Sequence, residues 1–125
     1  MTKKVLVVDD QYHNRAAKAR SLKLIGYNVD EAVDGMSALK RFIADNYHVI
    51  LMDCDMPFMT GPECAQKIRE YEIGTEFRTF IIGVSSSLNK NIQDKCIQAG
   101  MDACIEDASN SEELQKIVNE LASAS

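Results

Sequence analysis

At 125 residues the chain is long enough for one domain with a single core and too short for two. Its 46% apolar and 26% charged content is that of an ordinary water-soluble globular protein, and 14 basic against 19 acidic residues leave a formal charge of −5 with no basic stripe. That balance argues against nucleic acid or an anionic membrane as a direct partner, and the lack of a long apolar run or a signal-type N-terminus points to the cytoplasm.

Residues 4–9 open the chain as a strand, Val5-Leu6-Val7-Val8 running into Asp9 and Asp10. Ala16, Ala19, Leu22 and Ile25 then mark one face of a helix, with Gly26 as its stop. A second strand over 28–32 precedes a helical face of Met36, Leu39, Phe42 and Ile43 that ends before Asn46. The third strand, 48–53, is apolar through Val49-Ile50-Leu51-Met52, as a central strand buried on both faces should be, and Asp53 closes it. Cys64, Ile68 and Tyr71 give the third helix, with Gly74 beyond it, and 79–84 the fourth strand. Leu88, Ile92 and Cys96 mark a fourth helix stopped by Gly100, 103–106 the fifth strand, and Leu114, Ile117, Val118 and Leu121 the last helix. Strict alternation of strand and helix predicts an α/β domain with a doubly wound, five-stranded parallel sheet. It leaves no room for a linker or repeat, so residues 1–125 read as a single domain with only a frayed tail at 122–125.

If the first and third strands belong to one parallel sheet, Asp9, Asp10 and Asp53 meet at its carboxyl edge, where open α/β sheets place their ligands. Carboxylates crowded there repel one another, and a hard divalent cation held by oxygen atoms relieves them. The trio thus predicts a Mg²⁺ site around an aspartate. The plainer reading is solvated strand-end charges that cap helices, a role that would suit Asp10. Capping leaves unexplained the segment after Asp53, Cys54-Asp55-Met56-Pro57-Phe58-Met59-Thr60-Gly61-Pro62. It reads as a shaped loop over the strand end, Pro57 fixing φ and Gly61 able to take conformations closed to other residues. Cys54, Cys64, Cys96 and Cys104 lack a C-x-x-C pair and a histidine cluster, so they fit neither a zinc site nor a disulfide framework and read as reduced core residues. His13 and His48 read as exposed or edge residues without a role.

The run MDCDMPFMTG is similar to the phosphoacceptor segment of response regulator receiver domains, and VLVVDD, EAVDG, IIGVSS and AGMDACIED extend the resemblance over the whole chain. It implies the (βα)5 flavodoxin-like receiver fold with strand order 2-1-3-4-5. It also implies two-component or phosphorelay signalling, in which Asp53 takes a phosphoryl group from a histidine kinase or phosphotransfer protein. Asp10, Asp53 and the main-chain carbonyl of Asp55 would hold Mg²⁺ with Asp9 assisting, and Ser85 would be the switch hydroxyl. Output would be protein binding at the face of the fourth helix, fifth strand and fifth helix, with slow self-dephosphorylation as the only turnover.

The sequence also departs from the pattern. Where the family has Lys and then Pro after the fifth strand, this chain has Asp107 and Ala108, with Glu112-Glu113-Leu114 still in register at the last helix. Two like charges ~7 Å apart at an effective dielectric of about 20 repel by roughly 2 kcal/mol, so Asp107 opposes the phosphorylated state. Lys90 reads as an exposed loop lysine, and a trans bond is expected before Ala108, since cis there costs ~3 kcal/mol more. The family's aromatic switch residue falls at Cys104, whose small thiol cannot make the same in-or-out movement. Asp55 and Ser87 stand where the family tunes self-dephosphorylation. Five carboxylates, Asp9, Asp10, Asp53, Asp55 and Asp107, would crowd one pocket and raise at least one pKa. Two other functions stay open: a pseudo-receiver that binds partners without phosphorylation, and a haloacid-dehalogenase-like phosphatase, suggested by Asp53-Cys54-Asp55. The short chain and the upstream acidic pair count against the phosphatase. Met1 and the short flanks read as a complete small protein rather than part of a hybrid kinase.

Overall fold

A computed structural model describes residues 3–106 and 111–123 of the protein. Strands and helices alternate: β1 Lys4–Val8, α1 Tyr12–Lys23, β2 Asn28–Ala32, α2 Gly35–Ala44, β3 Val49–Asp53, α3 Gly61–Glu72, β4 Phe80–Ser85, α4 Lys90–Gln98, β5 Ala103–Glu106 and α5 Ser111–Ser123. The strands pair in parallel in the order β2-β1-β3-β4-β5, the order the resemblance implies. No helix among the described residues is long and apolar enough to cross a membrane.

Helices cover both faces of the sheet, so the inner strands are apolar at successive positions while their side chains still alternate. Val5, Val7, Val49, Leu51 and Ile82 pack with Ala19, Leu22, Leu114 and Val118 of α1 and α5. Leu6, Val8, Ile50, Met52 and Ile81 pack on the other face with Ala38, Phe42, Ile68 and Cys96 of α2, α3 and α4. Asp34, Thr60 and Asn89 accept hydrogen bonds from the Ser37, Glu63 and Ile92 N–H groups at 2.8, 3.3 and 3.0 Å, capping α2, α3 and α4. Glu63 returns a bond to the Thr60 N–H, closing a capping box. Gly26, Gly74 and Gly100 stand just past α1, α3 and α4 with positive φ, as stops.

Several expected positions shift. Asp10 is not a cap, because Gln11 occupies that position on α1 without a side-chain capping bond. Ser85 ends β4, one residue past the strand expected over 79–84, and Leu88 precedes α4, whose cap is Asn89. Ile25 lies beyond α1 and is exposed, and Met36, Ile43 and Tyr71 are about half exposed. Small residues such as Ala38 and Ala65 sit fully buried, so long side chains are displaced to the edges of each stripe. His13 is exposed, and His48 at the sheet edge accepts the Lys4 N–H on Nδ1 at 3.3 Å.

The amino end of the sheet is fastened by Arg69 of α3. Its Nε donates to the Gly100 carbonyl at 2.9 Å, Nη1 to Glu72 Oε1 at 2.7 Å and the Thr79 carbonyl at 2.8 Å, and Nη2 to Asp102 Oδ2 at 3.0 Å. Asp102 Oδ2 also accepts the Ile81 N–H at 2.8 Å, and Glu72 Oε2 the Thr79 N–H at 2.7 Å. One guanidinium thus joins α3, the start of β4 and the turn between α4 and β5.

Candidate functional site

β1 and β3 are neighbours with Val8 paired to Met52, so Asp9 and Asp53 emerge together at the carboxyl edge and Asp10 follows at once. Carboxylate oxygens of Asp9, Asp10 and Asp53 all lie within 4.8 Å of one another. The three span a gradient from core to water: Asp9 is 2% exposed, Asp53 is half-buried and Asp10 is exposed.

Each carboxylate is held differently. Asp9 Oδ1 accepts the Gln11 N–H at 2.9 Å and Oδ2 the Lys18 ammonium at 2.9 Å, in an ion pair almost closed to solvent. Arg15 Nη1 donates to the Asp9 carbonyl at 3.0 Å while its Nε reaches Glu31 Oε1 at 3.1 Å. Both cations escaped the sequence reading, although Arg15, Lys18, Ala19 and Leu22 share the i, i+3, i+4, i+7 spacing of one helix face. Cations on an inward stripe directly after an acidic pair were the available signal. Asp53 Oδ1 accepts the Asp55 N–H at 3.1 Å. Burial pushes the Asp53 carboxyl up to about 7; the Asp55 N–H works against the shift, and the Asp9 and Asp10 charges add to it.

Of the five carboxylates expected in one pocket, three meet among the described residues. The Asp55 side chain is exposed and outside the group, while Asp107 and the bond before Ala108 lie outside the described residues. The meeting groups form an anionic, oxygen-only donor set of the kind that suits a hard divalent cation. Their surplus of negative charge adds to the burial that raises Asp53.

Ser85, 1% exposed, ends the strand beside β3, one residue past the Val84 that pairs with Asp53. Its Oγ accepts the Ser87 N–H at 3.2 Å and keeps its own proton to donate. Lys90 is exposed and is the first residue of α4 rather than part of a loop.

Gly61 shapes the loop after Asp53 by close approach instead of unusual φ. A Cβ there would stand 2.4 Å from the Asp53 carbonyl oxygen and 2.8 Å from Cys54 Cα. The left-handed residue is Phe58, with φ +68°, fully exposed at the tip of a turn closed by the Met59 N–H on the Pro57 carbonyl at 2.8 Å.

All four cysteines are free and buried, as expected of core residues. Three of them nevertheless gather: Cys96 Sγ lies 3.3 Å from Cys54 Sγ and 3.5 Å from Cys104 Sγ. Cys104, the residue at the aromatic-switch position, therefore has its thiol packed beneath α4. Positions 54, 96 and 104 meet only through the order of β3, β4 and β5, which local spacing cannot report.

Over residues 5–119 the chain matches the response regulator receiver domain. Sensor protein EvgS of Escherichia coli strain K12 is 35% identical over 101 residues, covering 81% of this chain and 8% of that protein. Hybrid signal transduction histidine kinase L of Dictyostelium discoideum is 35% identical over 119 residues, 92% of this chain and 7% of that protein. The chain thus spans a small part of the length of these relatives. Among solved structures, the signal receiver domain of NarL from Mycobacterium tuberculosis has a TM-score of 0.90 at 30% identity, covering 99% of this chain and 98% of that one. Chemotaxis protein CheY4 of Vibrio cholerae has a TM-score of 0.89 at 27% identity over 97% and 99%. The receiver domain of the Arabidopsis thaliana histidine kinase CKI1, complexed with Mg²⁺, has a TM-score of 0.82 at 33% identity over 95% and 91%.

Proposed function

Because the chain belongs to the response regulator receiver domain family of two-component systems, we propose that it accepts a phosphoryl group on Asp53 and signals in the cytoplasm by binding another protein. The observation that carries this reading is the meeting of Asp9, Asp10 and Asp53 within 4.8 Å at the carboxyl edge of the sheet.

The Asp55 N–H engages Asp53 Oδ1, so Oδ2 is the oxygen left to attack. An O–P bond forms there as the bond from phosphorus to a donor histidine nitrogen breaks, the electron pair leaving with that nitrogen. Asp10, Asp53 and the Asp55 carbonyl would hold Mg²⁺, with Asp9 acting through water because Gln11 and Lys18 already engage its two oxygens. Bound Mg²⁺ supplies positive charge against the phosphoryl oxygens. The Ser85 hydroxyl donates to the new phosphoryl group and carries the change into the connection to α4 through its bond with Ser87.

The phosphoryl donor is a histidine kinase or phosphotransfer protein, and the output partner docks on α4, β5 and α5. That face retains apolar surface, since Cys96 is the only fully buried residue of α4 and Ile97 is half exposed. The packed Cys104 thiol favours a second reading, a receiver that binds its partner without phosphorylation, and Asp107 in place of a lysine supports the same reading. Intact mass after incubation with Mg²⁺ and a small phosphodonor separates the two. A single phosphate adduct, absent in Asp53→Asn, is expected. An unmodified wild type beside an Asp107→Lys variant that gains the adduct would establish the second reading instead.

A further inference from the structure

The gathered thiols have a fourth sulfur beside them. Gly83 of β4 lies under the cluster, and a Cβ built on it would stand 2.6 Å from Met101 Sδ, 3.2 Å from Cys54 Sγ and 3.3 Å from Cys104 Sγ. A side chain at this position would collide with these sulfurs; glycine lets them close together over the strand. The sulfurs come from the loop after β3, from α4, from the turn before β5 and from β5 itself, so the cradle is a product of tertiary structure. Cys54, Cys64, Cys96 and Cys104 are all buried, but Cys64 stands apart, its thiol donating to the Gly35 carbonyl at 3.5 Å.

We propose that Cys54, Cys96, Cys104 and Met101 form a binding site for a soft monovalent d¹⁰ cation, copper(I) or its analogue silver(I). Thiolate and thioether ligands select such ions over hard ones, and the gathered side chains are three thiols with a thioether beside them. Charge favours the monovalent ion. One cation entering as one thiol proton leaves to water keeps this buried, apolar site neutral, whereas Zn²⁺ would need two thiolates and prefers nitrogen or thiolate to a thioether as fourth ligand. The bound ion would join α4 to β5 and to the residue after Asp53. None of this depends on Asp53 being phosphorylated.

The test is titration of the whole reduced chain with copper(I) under anaerobic conditions against a chromophoric copper(I) chelator, together with X-ray absorption of the loaded protein. One ion per chain with a sulfur-only first shell of three or more ligands is expected. Cys54→Ser, Cys96→Ser and Cys104→Ser should each weaken binding by roughly tenfold or more, because losing a ligand costs at least what losing its outer partner does. Cys64→Ala should leave affinity unchanged. Retention of full affinity by folded Cys54→Ser and Cys104→Ser variants would overturn the proposal. So would its loss in Cys64→Ala. If a cysteine variant fails to fold, the wild-type spectrum still decides, since a two-coordinate, nitrogen- or oxygen-containing shell is incompatible with the site.

Discussion

The acidic edge has a thermodynamic signature that Asp53→Asn should expose. A carboxyl raised from 3.8 to about 7, chiefly by burial, binds its proton more tightly in the folded than in the unfolded chain. Its contribution to stability therefore falls as pH rises from the unfolded value near 4 through about 7, and the full penalty is present above that window. The shift corresponds to a ceiling of about 4 kcal/mol at about 1.4 kcal/mol per unit. Asp53 is only half withdrawn from water, and screening reduces the penalty to about 1–2 kcal/mol. Asn keeps a carbonyl oxygen for the Asp55 N–H and carries no charge. In chelator at pH 8 the variant should melt about 4–8 °C above wild type, and the two should converge toward pH 4. Adding Mg²⁺ at pH 8 should raise the wild-type melting temperature more than that of the variant. Thermal melts followed by circular dichroism across pH 4–8 make the measurement. Equal stability at pH 8, or a gap that persists unchanged at pH 4, would refute the reasoning.

Arg69→Ala should cost about 2–3 kcal/mol in urea denaturation, because it strips the Gly100 and Thr79 carbonyls of a donor and leaves Glu72 with only the Thr79 N–H and Asp102 with the Ile81 N–H and Arg78, and Arg69→Lys should recover little because an ammonium cannot reproduce the planar fork. Lys18→Met leaves the buried Asp9 carboxylate without its cation; we expect a loss of about 3 kcal/mol without Mg²⁺ and tighter Mg²⁺ binding by calorimetry. Phe58→Gly should stabilise the fold by about 1 kcal/mol in chemical denaturation, since the ring is fully exposed and the left-handed backbone is costly for a residue with a side chain.

Local chemistry was legible. The apolar runs placed every strand to within a residue at each end, and the glycines after α1, α3 and α4 marked their stops. The acidic trio was legible too, because a parallel sheet brings strand ends together once its strands are recognised. What depends on distant partners was not. Nothing near Lys18 says that its ammonium turns back to Asp9, and nothing near Arg69 names Gly100, Thr79 or Asp102 as its acceptors. The cysteines are the sharpest case: residues 54, 96 and 104 look unrelated in the chain yet touch in the fold. Gly61 was singled out correctly but for the wrong reason, because a close backbone approach leaves no trace in sequence. Its neighbour Phe58 takes the conformation expected of a glycine.

The Arg69 network grips the carboxyl end of α4, while the amino end is held by the packing of Leu88 and Ile92 against the core. The turn after α4 is gripped through the Gly100 carbonyl and Asp102, and Met101 N–H closes on the Cys96 carbonyl at 3.0 Å. At the other end Lys90 is exposed, and the connection leads back through Ser87 to Ser85 at the acidic edge. A helix pinned in this way is a lever of about 13 Å with its fulcrum at Gly100. A sub-ångström pull at Ser85 would therefore turn the helix about that point and swing its outer side chains, Ile97 and Lys90 among them, along arcs of different radius. The residues farthest from the fulcrum would sweep the most, so a partner reading the amino-terminal turn of α4 would register a displacement that a partner near Gly100 would scarcely feel.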